Sequence, residues 1–312
     1  IHVGGFAFAY CHQLKSVEIT STDFDLMEWA FARCENLETV LLPPQVFRME
    51  GGCFTECTSL TTVVLPKNIT FVHGFKDCTS LKTIEIPDSV TSIGASAFRG
   101  CTGLSSITIP DSVTSIGDMA FSDCSGLMSI TIPDSVTSIG DTTFSSCTGL
   151  TSVTIGKGVT SIGDGAFGGC KALTSVTIPD SVTSIGTSAF SGCKGLTSVT
   201  IGNGVISIGE FSFQSCTRLS SVTIGNSVTS IGNWAFDGCS GLTSITIPNS
   251  VTIIGDCAFR VCHDLTTVFY AGTEEQWNAI AFGQNIGITS SILYYYSAVS
   301  YTHLRAHETK AN

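Results

Sequence analysis

Cysteine is the most reactive residue type that recurs in this 312-residue chain, which contains 14 cysteines. Twelve of them lie three residues after a phenylalanine, as in Phe121-x-x-Cys124. One is followed by His263 and Asp264, and Cys262 with these neighbours could supply a nucleophile or zinc ligands. Since Cys262 holds the same repeat position as the other eleven, and adjacent residues rarely converge on one reacting centre, we interpret it as a packing residue. We predict that the protein is not an enzyme.

Metal binding is the second chemistry that the residue types allow. The cysteines are never spaced Cys-x-x-Cys, which argues against structural zinc. Four aspartates recur at one turn position and could gather calcium, and asparagines continue the file: Asp88, Asp111, Asp134 and Asp180, then Asn203, Asn226 and Asn249. We favour a role in which each side chain caps its own turn, and we predict no metal and no cofactor.

These residues belong to a 23-residue cassette, seen cleanly from Leu173 to Gly195, of which the chain holds twelve copies. A fixed period of this length indicates a solenoid, because one cassette has no second layer and must stack on a copy of itself. Alternating apolar and hydroxyl residues, as in Leu104 to Ile109, predict one short strand per cassette. The Ala-Phe-x-x-Cys stretch predicts a single helical turn at a corner. The repeated cysteine suits a small buried hydrophobe, although thiols in rungs about 5 Å apart could also form disulfides.

The cassette reads Leu-x-x-Val/Ile-x-Ile-x-x-Ser-Val-x-x-Ile-Gly-x-x-Ala-Phe-x-x-Cys, and in this form it resembles the leucine-rich repeat of BspA-like surface proteins. The resemblance covers roughly residues 1–296. It implies a leucine-rich-repeat solenoid, a curved parallel-β array with turns and short helical corners on its other faces. It also implies display on the cell surface and adhesion to host or neighbouring cells.

The chain divides into three parts by sequence. Residues 1–270 hold the tandem repeats, with the first one incomplete, so we expect an N-terminal segment and an export signal to be missing. Residues 271–296 resemble the C-terminal cap of the same family, in which Trp277 and Ile280 cover the last rung and a final strand follows. Residues 297–312 match nothing in the repeat, and we expect a disordered or artefactual tail.

Charge and hydropathy exclude several classes of partner. The net charge is -11 and the pI is about 4.8. Nucleic-acid binding requires a basic stripe, so we expect no nucleic-acid partner and no attraction to an anionic membrane surface. No apolar run reaches the eighteen or more residues that a membrane span needs, so we predict no membrane span in this sequence.

The outward strand positions are the main candidates for binding. In the middle repeats they carry a Ser-x-Thr pair, which parallel strands would align into hydroxyl rows on the inner face of the curve. At the two ends other residue types replace threonine, and variation on a solvent face is where recognition is expected. The tentative binding residues are Glu18, Leu41, Val64, Glu85, Thr108, Thr131, Thr154, Thr177, Thr200, Thr223, Thr246 and Phe269.

A second candidate surface lies two residues before each repeated phenylalanine. Large apolar residues stand there among Ser, Gly and Thr: Phe6, Trp29, Met119, Phe211 and Trp234. Exposed tryptophan is typical of contact hot spots, but these side chains could also fold over the neighbouring rung, and we favour that slightly.

The leading hypothesis is a non-enzymatic recognition module that binds protein or glycan through its repeat surface. Its partner would stand on host or neighbouring cells. The alternative is a structural spacer or surface-layer stalk without a specific ligand. An ice-binding array of Ser-x-Thr rows is a distant third, because it needs a flat face.

Overall fold

The computed structural model describes residues 2–20, 24–43, 46–49, 51–288 and 292–295. Within these ranges the chain is a parallel β-solenoid of about twelve turns with almost no helix. The predicted solenoid is therefore confirmed. The expected tail, residues 297–312, lies outside the described residues.

The strands follow one another in short segments along the whole array. In chain order they are β1 His2–Val3, β2 Ser16–Glu18, β3 Phe24–Leu26, β4 Thr39–Leu41, β5 Val46–Met49, β6 Thr62–Val64, β7 Phe71–Val72, β8 Ser92–Ile93, β9 Ser115–Ile116, β10 Ser129–Ile132, β11 Ser138–Ile139, β12 Ser152–Ile155, β13 Ser161–Ile162, β14 Ser175–Ile178, β15 Ser184–Ile185, β16 Ser198–Ile201, β17 Ser207–Ile208, β18 Ser221–Thr223, β19 Ser230–Ile231, β20 Ser244–Ile247, β21 Ile253–Ile254, β22 Thr267–Tyr270, β23 Ala281–Phe282 and β24 Ile292–Tyr295.

The alternating segment of each cassette forms the first side of the solenoid, which we call the strand face. Its strands pair in parallel and in register, and they make four separate sheets: β2-β4-β6, β10-β12, β14-β16-β18 and β20-β22-β24. The apolar residues of each strand are buried or half-buried and the hydroxyl residues are mostly exposed, as in β14, where Val176 and Ile178 are buried. Residues 80–88 and 103–110 form no strand on this face.

The prediction of one strand per cassette was wrong, because most cassettes carry a second one. The Ser-Ile pair before the glycine, such as Ser138 and Ile139, forms a two-residue strand. Ten such strands, from β7 to β23, make one parallel sheet without a break. Thr160 Oγ1 donates to Thr137 O at 2.9 Å, and Thr183 Oγ1 to Thr160 O at 3.1 Å, so threonine hydroxyl groups add bonds between the rungs of this sheet.

The prediction of a helical corner was also wrong. Met119 and Asp123 lie two residues on either side of Phe121 and have φ values of 57° and 62°. This left-handed conformation interrupts a right-handed helix. The backbone N–H groups instead alternate between two partners. Ala120 N bonds to Gly117 O in its own turn at 3.2 Å, and Phe121 N bonds to Thr143 O in the next rung at 2.9 Å.

The core is a continuous stack of phenylalanine rings beneath these corners. Phe121, Phe144 and Phe167 are fully buried, their ring centroids are 5.3 Å apart, and the planes are within 10° of parallel. The same stacking joins the repeated phenylalanines from Phe8 to Phe259. Every cassette is thus anchored through the same contact with its neighbours.

The array changes after β22. Helix α1, Glu274–Asn278, begins at a capping box in which Thr273 and Gln276 bond reciprocally. Trp277 packs edge-on against Tyr270, with centroids 5.2 Å apart, and Ile280 is buried in the core. β23 then extends the ten-stranded sheet, and β24 pairs with β22. No helix among the described residues is long and apolar enough to cross a membrane.

Candidate functional site

The N-terminal part of the strand face departs most from the repeat. β2 and β4 place Glu18 opposite Leu41, and β4 and β6 place Leu41 opposite Val64. Leu41 is 38% exposed and Val64 is 51% exposed. Two adjoining apolar side chains therefore face solvent at a position where the middle rungs carry threonine.

A shallow depression of about 400 Å³ adjoins Val64, and its lining includes Lys67, Glu85 and Asp88. A second one, of about 600 Å³, shares Glu85 and Asp88 and extends to Thr108. The first lies between the rung of β6 and residues 80–88, and the second lies between residues 80–88 and 103–110, which form no strand. Glu85 thus adjoins the apolar pair Leu41 and Val64. It lies within the first of the two successive described cassettes that form no strand on this face.

In the middle rungs the threonines form in-register rows. Thr131 lies opposite Thr154, and Thr177, Thr200 and Thr223 lie opposite one another in sequence. These rows belong to two different sheets, because β12 and β14 do not pair. The two rungs are still joined next to the rows, since Thr174 N donates to Thr151 O at 3.3 Å.

Aromatic residues end the same file at its C-terminal side. Thr246 lies opposite Phe269, which lies opposite Tyr294. The rings of Phe269 and Tyr294 stack with centroids 5.4 Å apart, and Tyr294 is 48% exposed. Tyr294 was missed in the sequence because it lies in the segment after the last cassette, where the period no longer marks the position.

The second candidate surface runs along the corners, and we call it the turn edge. Phe6 stacks on Trp29 and Phe211 stacks on Trp234, with nearly parallel rings at centroid distances of 6.1 and 5.0 Å. The ring of Trp29 also covers Gly52 in the next rung, where an added Cβ would lie 2.9 Å from it. Met119 is 39% exposed. The aromatic side chains fold over neighbouring rungs and still leave part of their surface in solvent.

The repeated cysteines point inward and have a bonding role. The Sγ of Cys262 donates to Phe236 O at 3.1 Å, and burial raises the pKa of this thiol to about 12. Cys101 and Cys147 make the same bond one cassette back, at 3.0 and 3.1 Å. His263 is exposed, whereas Cys262 is buried. The Cys-His pair is therefore not assembled as a nucleophile, because a protonated, buried thiol is a poor one.

Two of the four aspartates, Asp134 and Asp180, bond to the next rung, so the prediction that each aspartate caps its own turn was wrong for these two. Asp134 Oδ1 accepts from Lys157 N at 2.7 Å, and Asp180 Oδ1 accepts from Asn203 N at 2.6 Å. The partner is 23 residues away because stacking places the same backbone position of the next copy directly above the carboxylate. Among the described residues, no group of three His, Cys, Asp or Glu side chains could hold a metal ion.

A second file of this kind was missed. Asp141 N donates to Asp118 Oδ1 at 2.9 Å, and Asp164 N donates to Asp141 Oδ1 at 2.8 Å. An asparagine serves equally well, since Asn233 Oδ1 accepts from Asp256 N at 2.8 Å. The signal in the sequence was the aspartate that follows Ile-Gly in several cassettes.

Comparison with known proteins places this architecture among bacterial repeat proteins. A family model described as a BspA type leucine rich repeat region, in six copies, matches residues 1–74, 72–197 and 160–289. A leucine-rich cell surface protein from Faecalibacterium prausnitzii A2-165 has a similar structure, with 31% sequence identity and a TM-score of 0.52. The match covers 88% of this chain and 84% of that chain.

Two further solved structures show the same fold at lower identity. A leucine-rich repeat protein from Bacteroides ovatus ATCC 8483 is 23% identical, with 91% of this chain and 92% of that chain covered and a TM-score of 0.54. The pneumococcal vaccine antigen PcpA is 18% identical, with 95% and 74% covered and a TM-score of 0.52. No curated protein matches the sequence.

Proposed function

The chain belongs to the family of BspA-type leucine-rich repeat proteins, and on that premise we propose that it is a non-enzymatic recognition module displayed at the cell surface. It binds a protein or glycan through its repeat surface. The surface location is supported by the similarity to the leucine-rich cell surface protein from Faecalibacterium prausnitzii. Stacked repeats present a large rigid surface, which suits binding through many separate contacts.

The observation that carries this proposal is the exposed pair Leu41 and Val64 on the strand face, flanked by the carboxylates of Glu18 and Glu85. Exposed apolar residues that adjoin one another and are rimmed by polar groups are typical of protein interaction sites. The acidic rim and the net charge of -11 favour a partner surface that is apolar at its centre and basic at its margin. We therefore place the protein-binding site at this end of the strand face.

The test is binding of the full chain to a panel of purified extracellular-matrix proteins and glycans, measured by surface plasmon resonance. The first variant carries Glu18→Ser, Leu41→Ser, Val64→Ser and Glu85→Ser together. Its matched control carries Thr154→Ser, Thr177→Ser and Thr200→Ser on the same face. We expect saturable binding that the first variant weakens by at least about tenfold and the control leaves unchanged, because interface energy is concentrated at a few central residues.

The other outcomes count against the proposal. Binding that both variants weaken equally would contradict a site at the N-terminal end of the strand face. An absence of binding to every protein of the panel, and to glycans, would favour the alternative of a structural spacer without a ligand. Thermal hysteresis, the activity expected of an ice-binding array, would point instead to the threonine rows.

A further inference from the structure

Large side chains follow small ones in the C-terminal half of the turn edge. At the position two before the repeated phenylalanine, three successive rungs carry Thr142, Gly165 and Ser188, and the next two carry Phe211 and Trp234. The phenyl ring of Phe211 therefore stands higher than the surface next to it, because the side chains of the preceding rungs are small. A flat molecule has room to lie against the ring from that side.

The two rings form a rigid half-buried platform. Their planes are 2° from parallel and their centroids are 5.0 Å apart. Aromatic planes in contact lie about 3.5 Å apart, so rings whose centroids are 5.0 Å apart are displaced sideways or separated. In either case part of each ring face stays uncovered. A parallel stack of two large rings thus offers apolar surface of fixed orientation.

The backbone beneath the platform is strained. Phe211 and Trp234 have φ values of 55° and 52°, a left-handed conformation that is costly for bulky side chains. Gly165 adopts the same conformation at this position without that cost. Full burial does not offset the strain, since both aromatic side chains are only half-buried. The same conformation recurs at this position along the array, as in Met119 and Ser188, so it belongs to the corner of the repeat. Glycine, serine and threonine also occupy the position, so the fold does not require an aromatic residue there.

Polar residues follow the two aromatic residues in their turns and are bonded to one another between rungs. Each aromatic residue shares a turn with a polar one, since Gln214 N bonds to Phe211 O at 3.0 Å and Asp237 N bonds to Trp234 O at 3.1 Å. The Gln214 side chain donates to Asp237 at 3.2 Å. Arg260 holds the same carboxylate with two bonds of 3.0 and 3.1 Å. These bonds fix the amide, carboxylate and guanidinium groups in place.

A second polar pair precedes the aromatic residues. Asn233 Nδ2 donates to Glu210 Oε1 at 2.9 Å, and Asn233 Oδ1 accepts from Asp256 N at 2.8 Å. The planar amide of Asn233 is thus held from both ends. The sequence neighbours of the rings therefore present oriented amide and carboxylate groups as well.

We propose that Phe211 and Trp234, with the polar groups of Glu210, Asn233, Gln214 and Arg260, form a binding site for a neutral oligosaccharide. The C–H faces of a sugar ring pack on aromatic rings, and its hydroxyl groups bond to planar amide, carboxylate and guanidinium groups. Glu210 and Asp237 outnumber Arg260, and the whole chain carries a charge of -11, so sugars that bear carboxylates or sulfates are repelled.

This site is separate from the one proposed on the strand face, and the two can fail independently. The probes are maltohexaose, cellohexaose, xylohexaose and mannohexaose, with oligogalacturonate as the anionic comparison, titrated into the full chain by calorimetry. The variants Phe211→Ser and Trp234→Ser place at these positions the residue that Ser188 shows to be compatible with the same backbone, at φ 56°. The matched control is Met119→Ser, which removes an exposed large side chain at the same repeat position outside the cluster.

We expect at least one neutral hexasaccharide to bind, Trp234→Ser and Phe211→Ser each to weaken it by about tenfold or more, and Met119→Ser to leave it unchanged. Failure of all four neutral sugars to bind, or binding of the oligogalacturonate alone, would overturn the proposal. Equal weakening by Met119→Ser would also overturn it. A protein from the extracellular-matrix panel that loses binding through Trp234→Ser, with no sugar bound, would assign the platform to protein recognition instead.

Discussion

The thiol of Cys147 donates a hydrogen bond to the carbonyl oxygen of Phe121 in the preceding rung, with Sγ and O 3.1 Å apart. The same carbonyl accepts from Cys124 N at 3.2 Å, so one oxygen joins the corner of its own rung to the next. The bond recurs along the array, and it explains why the repeat uses cysteine where alanine or valine would give only packing.

Cys147→Ala is expected to lower the free energy of unfolding by about 2 kcal/mol, because it removes the bond to Phe121 and leaves a small void. The matched control is Cys257→Ala, since Cys257 is half-buried and lies outside the ladder. We expect the control to change the free energy of unfolding by less than about 0.5 kcal/mol in urea titrations. Equal losses in the two variants would contradict a special role for the ladder position.

The thiol ladder also predicts a loss of stability at alkaline pH. Burial raises the pKa of Cys147 from 9.0 to about 12, and it raises the pKa of Cys57 and Cys101 to about 12 as well. Above pH 9 the unfolded chain loses thiol protons that the folded chain keeps. Stability from these groups is therefore complete below pH 9 and falls as the pH rises from 9 towards 12.

The measurement is the free energy of unfolding between pH 7 and pH 10.5. The slope above pH 9 should be negative, and Cys147→Ala should reduce it by about one proton, or about 1.4 kcal/mol per pH unit. A slope that is the same with and without Cys147 would show that the folded thiol ionises as readily as the unfolded one.

Stacking explains how much of this fold could be predicted from the sequence. A 23-residue period with Phe121 and Phe144 at one position requires copies in register, and this requirement gives the solenoid, the buried phenylalanines and the rows of Thr177 and Thr200. Alternation could not predict the second strand of a cassette, because a strand such as Ser138–Ile139 has only two residues. Its pairing arises from the copies above and below, not from its own pattern.

The period predicted which repeat positions would align along each face, but it did not predict the local geometry at those positions. The left-handed corners were hidden by bulky residues such as Met119 and Trp234, although Gly165 at the same position was an indication. The partner of Asp134 could not be found locally, because it is the N–H of Lys157 in the next copy. The bonds that Asp237 makes with Gln214 and Arg260 could not be predicted, because nothing in the sequence distinguishes these three polar residues from others.

Gly158→Ala is expected to destabilise the protein more than Ser135→Ala, which removes a hydroxyl group at the equivalent position of the preceding cassette. A Cβ on Gly158 would overlap the carbonyl oxygen of Asp134, so the backbone must shift at a cost of about 3 kcal/mol. Its counterpart Ser135 has room and donates to Val113 O at 2.6 Å. Ser135→Ala should cost only about 1 kcal/mol, and the reverse ranking in urea titrations would contradict the close approach at Gly158.

Substitutions at Asp141 should act in opposite directions. Asp141 accepts from Asp164 N and lies in a file with two other carboxylates one rung away on either side, Asp118 and Asp164. Asp141→Asn keeps an acceptor, as Asn233 shows, and removes like-charge repulsion, so stability should rise by about 0.3–0.5 kcal/mol at low salt. Asp141→Ala removes the acceptor and should lower stability. If added salt leaves the gain from Asp141→Asn unchanged, charge repulsion is not its cause.

Phe144→Ala should divide the array into two units that unfold separately. Phe144 is fully buried and its ring contacts those of Phe121 and Phe167, so its loss should cost about 3–5 kcal/mol. In a repeat protein that cost falls on the interfaces with the two adjacent rungs, and the halves on either side keep their own contacts.

Fluorescence can distinguish the two halves, because Trp29 lies before the break and Trp234 lies after it. In urea, a Trp29→Phe background keeps only Trp234 and Trp277, after the break, and a Trp234→Phe/Trp277→Phe background keeps only Trp29, before it. The two backgrounds should give different midpoints with Phe144→Ala and the same midpoint without it. Phe8→Ala at the half-exposed end of the stack is the control and should leave the midpoints together, whereas coincident transitions in Phe144→Ala would show that coupling along the array does not depend on the central ring.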